Sequence, residues 1–189
     1  MTKKICVFCG SNSGYNKIYV DTAKQFAMEI VKNDFTLVYG GGKVGIMGAI
    51  SNTIIENGGK VIGVIPKFLN DANLGNEKVK EMMVVPSMHI RKETMYKISD
   101  YFVALPGGIG TFEEITETLT WKQLDIHNKP CALLNINGFY DNYVGFLQKS
   151  VDEGFMKQTH LDNLIVEKDY SKIIDRLKTA KDKQESKFI

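Results

Sequence analysis

Short, continuously apolar runs alternate along the chain with stretches in which apolar residues recur at helical spacing. The runs are Ile5–Cys9, Thr36–Tyr39, Val61–Ile65, Met82–Val85, Tyr101–Leu105 and Cys131–Leu134, with a weaker one at Leu164–Val166. Continuous rather than alternating apolarity is the mark of strands covered on both faces. The helical patterns between them span Tyr19–Val31, Ile46–Asn57, Met88–Ser99, Thr111–Leu124 and Tyr140–Glu153, with a last one at Tyr170–Lys181. This alternation predicts an α/β fold: a doubly wound parallel sheet of about six to seven strands, flanked by helices and joined by right-handed crossovers. No repeat, linker or low-complexity segment interrupts it. Residues 1–189 therefore read as a single domain, with a C-terminal helix and tail from about 168. The stretch from Pro66 to Lys80 is the longest that follows neither pattern.

Prolines orient the sheet. Pro66, Pro86 and Pro106 each directly follow an apolar run. Proline cannot donate to a strand ladder, so each marks where a strand stops. In a parallel sheet those stops share the carboxyl edge, where ligands of open α/β sheets bind.

Glycine collects on that same edge. Of the 17 glycines, nine fall in three segments. These are Cys9-Gly10-Ser11-Asn12-Ser13, the stretch from Gly40 to Gly48, and Pro106-Gly107-Gly108-Ile109-Gly110-Thr111. Each lies between a strand and the next helix. Glycine lets backbone N–H groups approach an anion, and the helix start that follows adds unpaired donors and a favourable dipole. The pattern is that of a phosphate site. It is not that of a dinucleotide fold or a P-loop. Gly40-x-Gly42-x-x-Gly45 follows the second strand, no acidic residue comes about 20 positions later, and Gly42-Lys43 continues with Val44 rather than Ser or Thr.

Composition narrows the classes. Hydrophobic residues are 43% and charged residues 24% of 189, an ordinary globular mix, so disorder is not expected. Net charge is +2, and the lysines from Lys178 to Lys187 are broken by Asp182 and Glu185, which disfavours nucleic-acid binding. No apolar stretch is long enough to span a membrane, and the first residues do not read as a secretory signal. Cys6, Cys9 and Cys131 are few and odd in number, so a reduced, cytoplasmic protein is expected. Cys6 and Cys9 form a C-x-x-C, but within a buried strand and with no second pair, so they read as small core residues. His89, His127 and His160 have no metal-ligand spacing, and no metal is expected.

Two charged motifs share the carboxyl edge. Ser87 is a plausible N-cap for the helix that carries Arg91 and Lys92 in its first turns. Cations there oppose the helix dipole, which favours a functional role for Arg91, whose planar fork suits phosphate or carboxylate. Lys92 reads equally as a solvated cation. Thr111-Phe112-Glu113-Glu114 fits a capping box with Thr111 at the N-cap and Glu114 three residues on. The same two carboxylates at the mouth of a phosphate-type loop are also catalytic candidates, and spacing alone does not decide between these readings.

Together these motifs resemble the LOG ("lonely guy") family of cytokinin riboside 5′-monophosphate phosphoribohydrolases, long mislabelled as lysine decarboxylases. The resemblance rests on Pro106-Gly-Gly-Ile-Gly-Thr-Phe-Glu-Glu114, which matches P-G-G-x-G-T-x-x-E, and on Met88-His-Ile-Arg91-Lys92. It is carried further by Tyr39-Gly-Gly-Gly-Lys-Val-Gly-Ile-Met-Gly48, Cys9-Gly-Ser11, and Thr120-Trp-Lys-Gln-Leu124 with His127-Asn-Lys-Pro130. It covers about residues 4–166. It implies a Rossmann-like fold, a homodimer and no organic cofactor. It also implies an N-glycosidase that releases free base and ribose 5-phosphate from AMP or N6-substituted adenosine 5′-monophosphates. Arg91 and Glu114 match the positions regarded as catalytic. Gly107, Gly108, Ile109, Gly110 and Thr111 would hold the phosphate. Ser11, Met88, Lys92 and Thr120 would line the nucleotide pocket, with Arg91, Glu113 and Glu114 also against the substrate. The alternative is a nucleotide or molybdenum-cofactor carrier without hydrolase activity, because relatives of this fold bind that cofactor. The presence of both Arg91 and Glu114 favours the enzyme. A lysine decarboxylase would need a pyridoxal-phosphate lysine, and no lysine is singled out. The preferred base, and the choice between hormone activation and nucleotide salvage, are left open by the sequence.

Overall fold

The computed structural model describes residues 2–181; the lysine-bearing tail that follows lies outside the described residues. Seven strands are β1 (Lys4–Phe8), β2 (Thr36–Tyr39), β3 (Lys60–Pro66), β4 (Glu81–Val85), β5 (Tyr101–Ala104), β6 (Cys131–Leu134) and β7 (Leu164–Glu167). Eight helices are α1 (Ile18–Lys32), α2 (Gly45–Glu56), α3 (Lys67–Asp71), α4 (Met88–Ile98), α5 (Ile109–Gln123), α6 (Asp141–Asp152), α7 (Gln158–Asp162) and α8 (Tyr170–Thr179). The strands form one sheet in the order β4-β3-β2-β1-β5-β6-β7, and every neighbouring pair is parallel. The predicted doubly wound Rossmann-like sheet is therefore the observed one.

Both faces of the inner strands are covered, as the continuous runs require, whereas the edge strand β4 leaves Met83 and Val84 exposed. On β1, Ile5, Val7 and Cys9 pack toward α1, α2 and α8, while Cys6 and Phe8 pack toward α4, α5 and α6. Cys6 and Cys9 thus belong to opposite cores, and all three cysteines are buried and outside any disulfide among the described residues. Helix α1 shows how periodicity becomes packing. Its buried residues, Ala23, Phe26, Ala27 and Ile30, follow the spacing of a single helical face. Helices α3 and α7 bury no residue and have no apolar face, so periodicity does not reveal them.

The segment after Pro66 is better ordered than its sequence suggests. Helix α3 turns the chain, and residues 74–76 fold back over the second glycine loop. Gly42 and Gly75 form an antiparallel bridge, Lys43 N–H donates to Leu74 C=O at 3.1 Å, and Asn76 N–H donates to Gly41 C=O at 2.9 Å. The buried Asn76 amide donates in turn to Ser51 and Asn52 of α2, each at 3.0 Å.

The chain reverses direction across the sheet between β1 and β5, and there the first and third glycine loops meet. Gly10 N–H donates to Pro106 C=O at 3.0 Å. Gly10 C=O accepts from the N–H groups of Ile46 and Met47, at 3.1 and 3.3 Å, so one residue ties all three loops. Gly45 makes this approach possible. Its φ is +63°, and a Cβ there would overlap the Ser11 backbone. Gly58 has φ +75° but open space around it. Gly58→Ala is accordingly expected to cost about 1–2 kcal/mol, the left-handed penalty alone. Gly45→Ala should cost about 3 kcal/mol or more, because backbone must move as well. Urea denaturation of both variants measures the difference, and equal losses would contradict the close approach.

Candidate active site

At this switch point a cavity of about 250 Å³ opens between the loop after β1 and the starts of α2, α4 and α5. Arg91 and Glu114 form its charged wall. Helix α4 begins as expected: Ser87 is the N-cap and accepts from Ile90 N–H at 3.3 Å. One turn later Arg91 points inward with 6% of its surface exposed. Its Nε donates to Val64 C=O at 3.1 Å, and its Nη1 lies 3.2 Å from Glu114 Oε1. Gly40 makes room for the guanidinium, since a Cβ there would overlap it.

Glu114 is not a capping residue. Helix α5 starts at Ile109 with Gly108 as its N-cap, three residues before the expected N-cap Thr111. Thr111 is therefore the third helical residue and Glu114 the sixth, one turn too far along to reach the helix end. The glycines on either side of Ile109 let the chain enter helical geometry early. Glu114 is 6% exposed. Burial raises its pKa, and the opposing charge of Arg91 offsets that only in part.

The start of α5 forms the opposite wall. Its first intrahelical bond runs from Phe112 N–H to Gly108 C=O, at 3.1 Å. The N–H groups of Ile109, Gly110 and Thr111 therefore have no acceptor within the helix, and Gly108 has no side chain with which to cap them. A Cβ at Gly108 or Gly110 would meet no protein atom. The space in front of these donors is open to a ligand.

Most of the expected residues meet here. Ser11, Met88, Arg91, Gly108, Ile109, Gly110, Thr111, Glu113 and Glu114 all line the cavity. Gly107 sits behind the loop, where a Cβ would overlap the Thr111 hydroxyl. Lys92 stands beside the cavity, not in its wall, and pairs with Glu113 and with Glu117 at 3.1 Å. Burial opposes its charge, but the hydrogen bonds it donates to both carboxylates outweigh this and raise its pKa. Its reading as a solvated cation does not hold, because only 12% of its side chain is exposed. Thr120 lies elsewhere: its hydroxyl donates to Thr116 C=O at 2.8 Å, and it lines a separate cavity with Tyr143 and Leu147. Cys9, Gly10 and Met47 also line the site and were not singled out as ligands. All three lie within the glycine-rich motifs, but carry no charge to draw notice. A larger groove, about 740 Å³, opens at the opposite, amino edge around Asp100 and Lys129, far from this chemistry.

The fold and this cavity define the class: a Rossmann-like α/β protein with an uncapped helix start and a buried Arg–Glu pair at its switch point. The family model described as "Possible lysine decarboxylase" matches residues 47–177. The chain is 50% identical over 157 residues to cytokinin riboside 5′-monophosphate phosphoribohydrolase LOG2 of Arabidopsis thaliana, covering 83% of this chain and 74% of that one. It is 42% identical over 179 residues to LOG5 of the same plant, covering 95% and 78%. The chain belongs to the LOG family. Among solved structures it resembles the Moco carrier protein of Chlamydomonas reinhardtii, with a TM-score of 0.72, 23% identity and coverage of 95% and 98%. It also resembles the molybdenum cofactor binding protein of Rippkaea orientalis, with a TM-score of 0.71, 20% identity and coverage of 95% and 97%. At that distance the likeness is one of fold alone.

The buried pair predicts a pH-dependent stability. Glu114 binds its proton more tightly folded than unfolded, because its folded pKa is raised. Its contribution is full below the unfolded value of 4.5 and is lost as pH rises through the folded value. Arg91→Met removes the charge that restrains this shift. It is expected to cost about 3–5 kcal/mol at pH 7 and less as the pH falls and Glu114 protonates. Denaturation at several pH values tests this, and adding Glu114→Gln to Arg91→Met should recover much of the loss. A deficit independent of pH would refute the pairing.

Proposed function

We propose that this chain is a nucleoside 5′-monophosphate phosphoribohydrolase that cleaves AMP and N6-substituted adenosine 5′-monophosphates to free base and ribose 5-phosphate. The observation that carries this reading is the Arg91–Glu114 pair, held across one small cavity from the uncapped start of α5. The identity to enzymes named for this reaction supports it. The homodimer and the cytoplasmic setting expected from the sequence belong to the same proposal.

The site's groups match the steps. Amides of Ile109, Gly110 and Thr111 would receive the 5′-phosphate, so that binding energy remote from the reacting bond positions the ribose. As the N-glycosidic bond breaks, its electron pair leaves with the base nitrogen and C1′ gains oxocarbenium character. The Glu114 carboxylate stabilises that charge and takes a proton from the water that attacks C1′. A raised pKa makes it a better base for this purpose than an ordinary surface glutamate. Arg91 would hold the substrate and assist the departing base, which takes up a proton from solvent that matches the one Glu114 removes from the attacking water. A decarboxylase working through a pyridoxal imine needs a lysine amine facing the substrate, and among the described residues no lysine lines this cavity. The residues do not fit that group.

Product analysis with AMP and isopentenyladenosine monophosphate tests the reading. Free base and ribose 5-phosphate are expected in equal amounts, and tight binding without base release would favour a carrier. Glu114→Gln should lower kcat by about a hundredfold or more. It should also lower the melting temperature while the protein still folds, because Arg91 stays buried without its counter-ion. The acid limb of kcat/KM in the wild type should lie above pH 4.5, since protonating Glu114 removes the base.

A further inference from the structure

We infer that Lys92 is a positioning residue and not a phosphate ligand, and that Glu117 is its fixed anchor. Together they hold the Glu113 carboxylate at the cavity rim, where it can accept a hydrogen bond from a sugar hydroxyl. The inference rests on the hydrolase reading and assigns Glu117 a part in it.

Three observations carry it. Lys92 does not line the cavity, although Arg91 beside it does. Its ammonium is committed to two carboxylates of α5, Glu113 and Glu117, one helical turn apart. The two partners also differ in setting. The Glu113 side chain is 50% exposed and lines the cavity, whereas the Glu117 side chain is 28% exposed and does not.

Charge explains the arrangement. Arg91, Lys92, Glu113, Glu114 and Glu117 are two cations and three carboxylates. A cluster with net negative charge does not attract a phosphate dianion, so the α5 amides must do so. A nearly buried ammonium with Glu113 as its single partner would draw that carboxylate away from the rim to satisfy its own charge. With Glu117 also present, Lys92 is held from two sides and keeps Glu113 at the rim.

Steady-state kinetics of Glu117→Ala and Glu117→Gln on AMP, with thermal melts, test this. Glu117→Ala is expected to lower kcat about tenfold, through a misplaced Glu113. KM should stay within about twofold, because binding of the phosphate is untouched. Glu117→Gln keeps an oxygen for the ammonium and should recover part of the loss. If Lys92 were a phosphate ligand, Glu117→Ala would free it, and KM and the inhibition constant of ribose 5-phosphate would both fall. That result overturns the inference, as does a lowered melting temperature with unchanged kcat and KM. Wild type that releases no base sinks the hydrolase reading and this inference together. Active wild type with an unaffected Glu117→Ala sinks this inference alone.

Discussion

Two opposite charges buried side by side govern how this protein is built. Arg91 and Glu114 are each only 6% exposed, and neither could stand there alone. Removing an ion from water costs several kcal/mol even after relaxation, and mutual attraction offsets this only when the geometry is good and the remaining donors are satisfied. The surroundings meet those terms one by one. Ser87 fixes where α4 begins, and so where Arg91 points. Val64 at the end of β3 accepts from its Nε. Gly40 withholds a side chain to leave the guanidinium space. Elements from both halves of the sheet must be in place before the pair can form, which makes the pair a constraint on the fold as well as a part of the site.

The glycine loops solve the complementary problem of bringing backbone close to a ligand. Gly10 ties them, donating to Pro106 and accepting from the first amides of α2. Its position between β1 and β5 is dictated by topology, since those neighbouring strands send their chains to opposite ends of the sheet. Labour is therefore divided by chemistry. Backbone amides of α5, which carry no counter-ion, are left for the anion. Side-chain charges are paired with one another, Arg91 with Glu114 in the cavity wall and Lys92 with Glu113 and Glu117 beside it.

How much of this the sequence disclosed depended on how local each signal was. Continuous apolar runs specify strands, and all seven appear, with β1 and β5 each ending one residue early, at Phe8 and Ala104, and β4 at the sheet edge left largely exposed. Ser87 was legible as a cap because its partner is three residues away. Glu114 was ambiguous because a capping box and a buried acid share the same spacing. Only the helix start at Ile109, set by packing around Gly107 and Gly108, separates them. The fate of Lys92 was not legible, because its partners, Glu113 and Glu117, lie on another helix and their number decides what its charge is free to do. Thr120 carries the same lesson: it shares α5 with Glu114, yet points its hydroxyl at Thr116 and toward a different cavity.

The raised pKa of Glu114 connects stability to chemistry. A carboxylate desolvated to this degree lowers the stability of the folded state wherever it is ionised. Selection for stability alone would favour apolar side chains of similar volume in place of both members of the pair. The cost becomes useful only when positive charge develops beside the carboxylate, as it does on a ribose losing its base. That charge then meets a carboxylate only 6% exposed and already in place. Arg91 sets the balance. It is close enough to keep Glu114 ionised and buried, yet its charge does not cancel the shift that burial imposes. A stronger counter-ion would make the fold safer and the base weaker.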